Sequence, residues 1–548
     1  MKVTINLGFA AFVLLFFPAM ADSDPTKEDY LSCLSKHSSS PNQISNVTYF
    51  ATDPDFLSVL SSYIRNAIFL SASTPKPLFI VAATEVSHIQ AAVACCKTFA
   101  VQMRIRSGGH DYDGLSYVSS QPFMILDMFN MRSVTVNLEE ETAWVESGAT
   151  LGEVYHEIAR VSTVLGFPAG VCPTVGAGGH FSGAGYGNLM RKFGLSVDNI
   201  LDAIVVDVNG NKMDRAAMGE DFFWAINGGG GASFGVIVSW KIKLVRLPEQ
   251  VTVFRIEKTL EENATDIVFE WQNAAYKIDN ELFIRVVLSP MVKKTTQTVR
   301  AKFNALFLGD AEKLVSIMAE KFPLLGVTEN DCHEMSWIKS VLFWSNYPDG
   351  TPVDILLDRH PEEEKRQKKK SDYVQEAIPK SVLEEMWKKM MEMKGPTLTF
   401  NPYGGKMDDF AEDTTPFPHR KGNMFKIQYS VMWKEEGDEV LNASFRAIRE
   451  MHEFMTPYVS KSPRRAYLNY RDVDLGVNGD ASSSVEDARK WAQCYFDGNF
   501  DRLVKVKTTV DPGDFFRYEQ SIPSMACTTG RLDNHVHSGS SSIKFISW

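Results

Sequence analysis

The sequence predicts an α+β chain folded as two domains. Up to about residue 247, short apolar runs alternate with a helical pattern and abundant glycine; beyond Leu247-Pro248 glycine thins out, and mixed strands and amphipathic helices take over. The 548 residues also exceed one ordinary domain and suit two or three packed units.

The elements follow in order. Leu78 to Ala82, after Pro75 and Pro77, is a short apolar run that reads as a buried strand. Thr84 to Lys97 carries apolar residues at helical spacing (Val86, Ile89, Val93, Cys96), and Val101 to Ile105 alternates like a strand. This strand–helix–strand unit ends in Ser107-Gly108-Gly109-His110. Met124 to Met128 reads as a further strand. Thr150-Leu151-Gly152-Glu153 is a capping-box signature that opens a helix. Ile200 to Val208 is a strand closed by Asn209-Gly210, a hairpin signal, and Val236 to Val245 is another strand. In the second region a helix is expected over Val382 to Met393, with Ser381 and Glu384 as its capping box after Pro379. The charge-dense run Glu362 to Lys370 reads as a solvated loop or helix face. The segment from about Val485 has no obvious core of its own.

Composition narrows the function classes. Hydrophobic residues at 44% and charged residues at 23% fit a globular protein with a large core. The formal net charge of −11 argues against a general nucleic-acid binder, because phosphate backbones select basic surfaces. Lys2, the apolar run Leu7 to Phe17 and Ala19-Met20-Ala21 form a signal-peptide pattern, and the run is shorter than the ~20 residues a membrane span needs. Residues 1–21 are therefore expected to be removed and the chain exported. Asn46, Asn263 and Asn442 each begin an N-glycosylation triplet. The seven cysteines are Cys33, Cys95, Cys96, Cys172, Cys332, Cys494 and Cys527, an odd number that leaves at least one without an internal disulfide partner. No C-x-x-C pair and no Cys/His cluster occurs, so no metal site is expected.

The chemistry is concentrated in glycine-rich stretches: Arg106-Ser107-Gly108-Gly109-His110-Asp111-Tyr112-Asp113-Gly114, the longer run from Cys172-Pro173-Thr174-Val175-Gly176 to Gly187, and Gly228 to Gly231. Glycines let backbone N–H groups approach an anion closely, so such loops can cradle a pyrophosphate. None fits G-x-G-x-x-G or G-x-x-x-x-G-K-[ST], which argues against a Rossmann nicotinamide site or a nucleotide triphosphatase.

Together with Tyr30 to Ser35, Asn469-Tyr470-Arg471-Asp472-Val473-Asp474-Leu475-Gly476 and Phe515 to Pro523, these motifs resemble the plant berberine bridge enzyme-like flavoproteins, within the wider vanillyl-alcohol-oxidase type of FAD fold. The resemblance spans essentially the whole mature chain. It implies a PCMH-type FAD-binding domain over 73–247, with segment 22–72 packed on it. It also implies a substrate domain over 248–480 built on an antiparallel sheet flanked by helices. Segment 481–523 should return to the FAD domain, leaving a flexible tail at 524–548.

The resemblance further implies that His110 bonds the flavin 8α-carbon and Cys172 bonds C6, and that Cys33 pairs with Cys95 while Cys96, one helical step on, faces elsewhere. A bicovalent link fixes the ring and is expected to raise its reduction potential. The expected cofactor-binding set adds Arg106, Ser107, Gly108, Gly109, Gly176, Gly178, Gly179, Gly183, Tyr186 and Val236. Tyr470 maps to the base that takes the substrate hydroxyl proton, and Tyr467 to its support. Lys426 maps to the cation that favours the phenolate, Gln428 to a substrate-orienting group and Tyr112 to a second tyrosine over the ring. On an alternating strand Lys426 and Gln428 would share a face. The glutamate that berberine-forming and cannabinoid-forming relatives carry near the Lys–Gln pair is missing, which puts ring closure in doubt. Val175, three residues after Cys172, maps to the position that gates oxygen, and its valine resembles the oxidases.

The expected protein is thus a secreted monomeric oxidase, in the apoplast, cell wall or vacuole, that carries FAD covalently. It oxidises a carbohydrate or primary alcohol, with hydride passing to flavin N5 and oxygen reduced to hydrogen peroxide. Its partners are a small-molecule substrate and O2, with no nucleic acid and no membrane. The competing readings are a dehydrogenase with another acceptor, an oxidative cyclase of a plant secondary metabolite, and a flavin-carrying defence protein without turnover.

Overall fold

A computed structural model describes residues 24–360, 365–393, 395–479 and 484–526. The expected signal peptide, Cys527 and the expected tail beyond Ala526 lie outside the described residues. The chain opens with helix α1 (Lys27–His37) and strand β1 (Thr48–Phe50). It continues into β2 (Phe79–Ala82), α2 (Val86–Thr98), β3 (Gln102–Arg106) and β4 (Phe123–Asp127). These form a four-stranded sheet in the order β1-β2-β4-β3, with β2, β4 and β3 mutually parallel. The parallel core requires a crossover, and α2 supplies it. The bridge Cys33–Cys95 ties α1 to α2, while the neighbouring Cys96 is buried and unbridged.

The second sheet is antiparallel. It contains β5 (Val134–Asn137), β6 (Thr142–Glu146), β7 (Ile200–Val206), β8 (Lys212–Met213) and β9 (Val236–Lys243), in the order β5-β6-β9-β7-β8. The Asn209-Gly210 turn joins β7 to β8, with Gly210 at φ 79°. Between β6 and β7 lie α3 (Leu151–Val161) and α4 (Ala177–Ser182), and α5 (Arg215–Ile226) follows β8. The α3 capping box forms as expected: Thr150 N–H donates to Glu153 Oε2 at 2.8 Å and Glu153 N–H donates back to Thr150 Oγ1 at 3.3 Å.

The third sheet has seven antiparallel strands: β10 (Val251–Thr259), β11 (Leu282–Lys293), β12 (Thr296–Phe307), β13 (Cys332–Met335), β14 (Arg366–Val374), β15 (Thr397–Pro402) and β16 (Phe425–Trp433). Their order is β13-β10-β12-β11-β15-β16-β14. The pleat sends alternate residues to opposite faces. Ile284, Phe303, Phe400 and Ile427 enter one core with Trp271, Met386 and Ile448, from helices spanning 264–274, 380–393 and 438–454. The residues between them face a cavity.

Two expectations fail here. The helix of residues 380–393 begins at Lys380, so Ser381 lies inside it. The Pro379 carbonyl accepts from Val382 and Leu383 N–H, and no Ser381–Glu384 box opens the helix. The run ending at Lys370 is no solvated loop from Arg366 on: it is strand β14, with Lys368 and Lys370 buried. Lys368 Nζ meets Asp113 at 2.8 Å and Asp472 at 2.9 Å, and Lys370 Nζ meets Asp472 at 2.6 Å and Asp474 at 2.8 Å. Those carboxylates are what allow lysines into the interior.

Beyond the third sheet, helices over Val485–Phe496 and Phe500–Val510 bury Trp491, Tyr495, Phe500 and Leu503. These side chains join one apolar core with Phe222, Phe223 and Ile237 of the second sheet and its helix. The segment lacks a core of its own because it completes that one. Asn46, Asn263 and Asn442 are all exposed, Asn442 within the helix of residues 438–454. Among the described residues no helix is long and apolar enough to cross a membrane.

Candidate active site

A cavity of about 590 Å³ lies between the glycine-rich loops and the inner face of the third sheet. That volume falls within the range of about 300–1,000 Å³ usual for small-molecule and cofactor sites. Its floor comes from Ser107-Gly108-Gly109, where β3 ends, and from Gly176 to Gly183 around α4. The two loops cross so tightly that a Cβ on Gly108 would run into the Gly176 backbone nitrogen. Gly109 takes φ 67°, and a Cβ there would strike the Tyr63 carbonyl. Gly178 backs onto Ser147. Gly179 has nothing within 4 Å of where a Cβ would stand, so its backbone faces open space.

His110 and Cys172 line this cavity and converge on one hydroxyl. His110 Nε2 is 2.9 Å from Thr174 Oγ1, and Cys172 Sγ is 3.6 Å from the same oxygen. Burial, with Arg65 and Lys369 nearby, holds the His110 imidazole neutral, its pKa lowered to about 3. Cys172 carries a free thiol. Val175 lines the wall three residues on, its carbonyl held by Leu151 N–H at 2.9 Å.

Facing them is a cluster of tyrosines. The Tyr470 ring lies 5.5 Å from that of Tyr112, and the Tyr470 hydroxyl is hydrogen-bonded to the Tyr186 hydroxyl. Tyr112 OH accepts from Gln428 Nε2 at 2.9 Å. Tyr467 OH accepts from the N–H groups of Gly185 and Tyr186 and from Asn469 Nδ2, at 3.1, 3.3 and 3.1 Å. Asn469 in turn donates to the His180 carbonyl at 2.9 Å, docking this loop onto α4. Lys426 Nζ is fully buried behind the cluster, 3.2, 3.7 and 4.5 Å from the ring centres of Tyr186, Tyr467 and Tyr470. It has no hydrogen-bond partner among the described residues. Burial raises the Tyr470 and Tyr112 phenols well above their ordinary value and lowers Lys426 well below its own. Each charge alone is disfavoured, whereas an ammonium and a phenolate together would offset one another.

Most of the expected catalytic and cofactor-binding residues line this cavity; three do not. Arg106 is buried outside it. Its guanidinium donates to Asp127 at 2.6 Å and to the carbonyls of Leu60 and Val59, so it holds the loop from behind. Val236 points into the core beneath the second sheet, and its neighbour Ile237 takes the cavity wall, because adjacent strand residues face opposite ways. Lys426 stands one layer behind the lining, although it shares the cavity-side face of β16 with Gln428. Sequence reasoning missed Arg285, Lys302 and Lys369, which project from the third sheet into the cavity. Period-2 alternation through Arg366 to Val374 would have flagged Lys369, since Lys368 and Lys370 occupy the opposite face.

Residues 77–214 match the family model described as FAD binding domain, and residues 466–523 the model described as Berberine and berberine like. Over 529 residues the chain is 52% identical to berberine bridge enzyme-like 8 of Arabidopsis thaliana, covering 94% of this chain and 99% of that protein. Among solved structures, the Bermuda grass isoallergen BG60 superposes with a TM-score of 0.86 at 46% identity, covering 90% of this chain and 100% of its own. The grass pollen allergen Phl p 4, described as having glucose dehydrogenase activity, has a TM-score of 0.86 at 43% identity and covers 91% and 100%. A Phl p 4 variant with valine for one isoleucine is described as a glucose oxidase; it superposes with a TM-score of 0.85 at 43% identity, covering 91% and 99%.

The residues present fit FAD. No side chain stands at Gly179, so an anionic ligand can approach the backbone closely there. Lining the same cavity, Arg104 Nη1, Ser116 Oγ and Ser147 Oγ are buried without hydrogen-bond partners among the described residues, as expected of groups that wait for a polar ligand.

Proposed function

The chain belongs to the berberine bridge enzyme-like family of FAD-linked oxidoreductases, and from that premise we propose that it is a secreted oxidase of a carbohydrate or primary alcohol, holding FAD through both His110 and Cys172. FAD is the cofactor of the family's FAD-binding domain, and when bound it supplies the two-electron acceptor for hydride. The observation that carries the reading is one shared cavity: His110 and Cys172 line one side, and the Tyr470–Tyr186–Lys426 cluster closes the other. Tyr470 takes the hydroxyl proton as the adjoining C–H bond breaks. The Tyr186 hydroxyl and the Lys426 ammonium stabilise the phenolate form of Tyr470 that this requires. Gln428, held by Tyr112, orients the hydroxyl, and apolar Val287 and Trp344 limit water in the same cavity. Thr174 positions His110 and Cys172 for their links to the isoalloxazine.

Oxygen as the final acceptor is supported by Val175 in the cavity wall. In Phl p 4 an exchange of isoleucine for valine accompanies the change of description from glucose dehydrogenase to glucose oxidase, so small differences in aliphatic bulk matter in this fold. Export is supported by the Cys33–Cys95 bridge and by glycosylation triplets whose asparagines, Asn46, Asn263 and Asn442, are exposed. The deciding experiment mixes the holoenzyme anaerobically with sugars and primary alcohols, records flavin bleaching, and then admits air. Bleaching followed by rapid recovery with stoichiometric peroxide is the expected result. Bleaching without recovery in air makes the protein a dehydrogenase, and no bleaching by any hydroxyl compound overturns the reading.

A further inference from the structure

Lys368, Lys369 and Lys370 follow one another on β14, and the pleat divides them. Lys368 and Lys370 lie on the back of the sheet, where Asp113, Asp472 and Asp474 neutralise them. Lys369 turns the other way and lines the cavity. Its Nζ lies 4.3 Å over the Tyr112 ring, a neutral partner, and among the described residues no carboxylate bonds to it. The opposite charge that acts on it is that of Cys172. Burial lowers Lys369 to about 8, and a thiolate at Cys172 pulls the other way, toward the ammonium. The same ammonium helps to keep His110 uncharged. Lys369 therefore acts on both residues expected to carry the flavin, which themselves converge on the Thr174 hydroxyl.

Turnover gives Lys369 no task. Tyr470 takes the substrate proton, Lys426 backs it and Gln428 orients the hydroxyl. Attachment of the cofactor makes a separate demand. His110 is a ready nucleophile, because burial keeps its imidazole neutral. Cys172 is an exposed free thiol, and the thiolate is the form that attacks. A neighbouring ammonium favours that form, and the attraction that keeps Lys369 charged works equally on the sulfur.

We infer that Lys369 is a positioning residue of maturation, whose ammonium holds the Cys172 thiolate for its attack on flavin C6. This rests on the bicovalent reading above and deepens it. The thiol gives its proton to water, a sulfur lone pair forms the S–C6 bond, and the C6–H bond releases its proton. The electron pair of that C–H bond stays on the flavin and passes to O2, which leaves as hydrogen peroxide.

The test denatures the holoprotein and its variants K369M, K369R and K302M, alkylates them with iodoacetamide and maps Cys172 by mass spectrometry. In the unaltered protein the Cys172 peptide should carry flavin and no alkyl group. K369M should keep its flavin through His110, which shows that it has folded around the cofactor. The share of its Cys172 joined to flavin after a fixed expression time should fall by about tenfold or more. K369R returns the charge and should restore the link, and K302M, which removes another cavity cation, should leave it intact. K369Q takes the place of K369M should that variant hold no flavin. Acid precipitation reads the same link independently: H110A should retain flavin and H110A/K369M should release it. A K369M protein linked at Cys172 as fully as the unaltered one overturns the inference, and so does a loss that K369R fails to restore or that K302M shares. A free Cys172 in the unaltered protein removes the bicovalent reading instead. The rate at which iodoacetamide alkylates that native thiol then decides: an unchanged rate in K369M overturns the inference, and a rate about tenfold lower sustains Lys369 as the partner of the thiolate.

Discussion

Lys426 Nζ stands 3.2 Å from the centre of the Tyr186 ring, and Tyr186 in turn is hydrogen-bonded to Tyr470 through its hydroxyl. The lysine thus lies within reach of Tyr470 both directly, 4.5 Å from its ring centre, and by way of Tyr186. Burial raises the Tyr470 phenol, and a base must be deprotonated to work, so flavin reduction should accelerate as pH rises through that ionisation. Lys426→Met removes the cation that favours the phenolate. The rising limb should then move to higher pH, and the rate at neutral pH should fall by about tenfold or more. Anaerobic stopped-flow reduction over a pH series measures both; an unmoved limb would show that Lys426 serves packing alone.

Tyr470→Phe deletes the hydroxyl and keeps the ring against Tyr112. The flavin spectrum should persist while flavin reduction slows by about 10²-fold or more, the usual scale for losing a general base. Unchanged kinetics would assign the proton to Tyr112.

His110 and Cys172 share the Thr174 hydroxyl as a neighbour. Each single alanine variant should keep its flavin through acid precipitation by the remaining link. The double variant should release it into the supernatant. Flavin lost freely from the unaltered protein would remove covalent attachment altogether.

Val175 stands in the cavity wall between the small residues Gly176 and Ala177 and the Cys172 turn. Val175→Leu adds a methylene to a packed surface where a diatomic molecule must pass. Reoxidation in air should slow by roughly tenfold, equivalent to ~1.4 kcal/mol of barrier, while flavin reduction keeps its rate. Mixing reduced enzyme with oxygenated buffer reads this directly.

Lys368 is almost wholly buried between Asp113 and Asp472. Lys368→Met leaves Asp113 without its cation, and breaking a buried pair from one side costs about 3–5 kcal/mol. The exposed pair Arg502–Asp221, at 2.6 Å, serves as the contrast: Arg502→Met should cost no more than about 1 kcal/mol. Apparent melting temperatures of the two variants, taken at one scan rate, should separate clearly.

Much of the site was legible in the sequence because its signals are local. Glycines beside His110 and Cys172, the Thr150–Glu153 box and the Asn209-Gly210 turn each encode their geometry within a few residues. The failures share a different cause. Lys368 and Lys370 look like surface charge because their partners Asp113 and Asp472 lie 255 and 102 positions away. Arg106 belongs to a conspicuous motif, yet its charge is consumed by Asp127 across the strand pair rather than by a ligand. Tyr186 was expected beside the cofactor. Its bond to Tyr470 appears only once the loop at 467–471 has docked on α4, a contact 284 positions apart that no local pattern records.

The cavity draws on both ends of the chain: Ser107 to His110 line it near the start, Tyr518 lines it near the end, and Glu519 holds Arg104. A ribosome that has made the first two sheets has therefore not yet made a complete flavin pocket. Cofactor loading must await release of nearly the whole polypeptide. Truncation before Tyr518 would strip the cavity of part of its lining and leave Arg104 without its carboxylate, so flavin loading is expected to depend on the C-terminal segment.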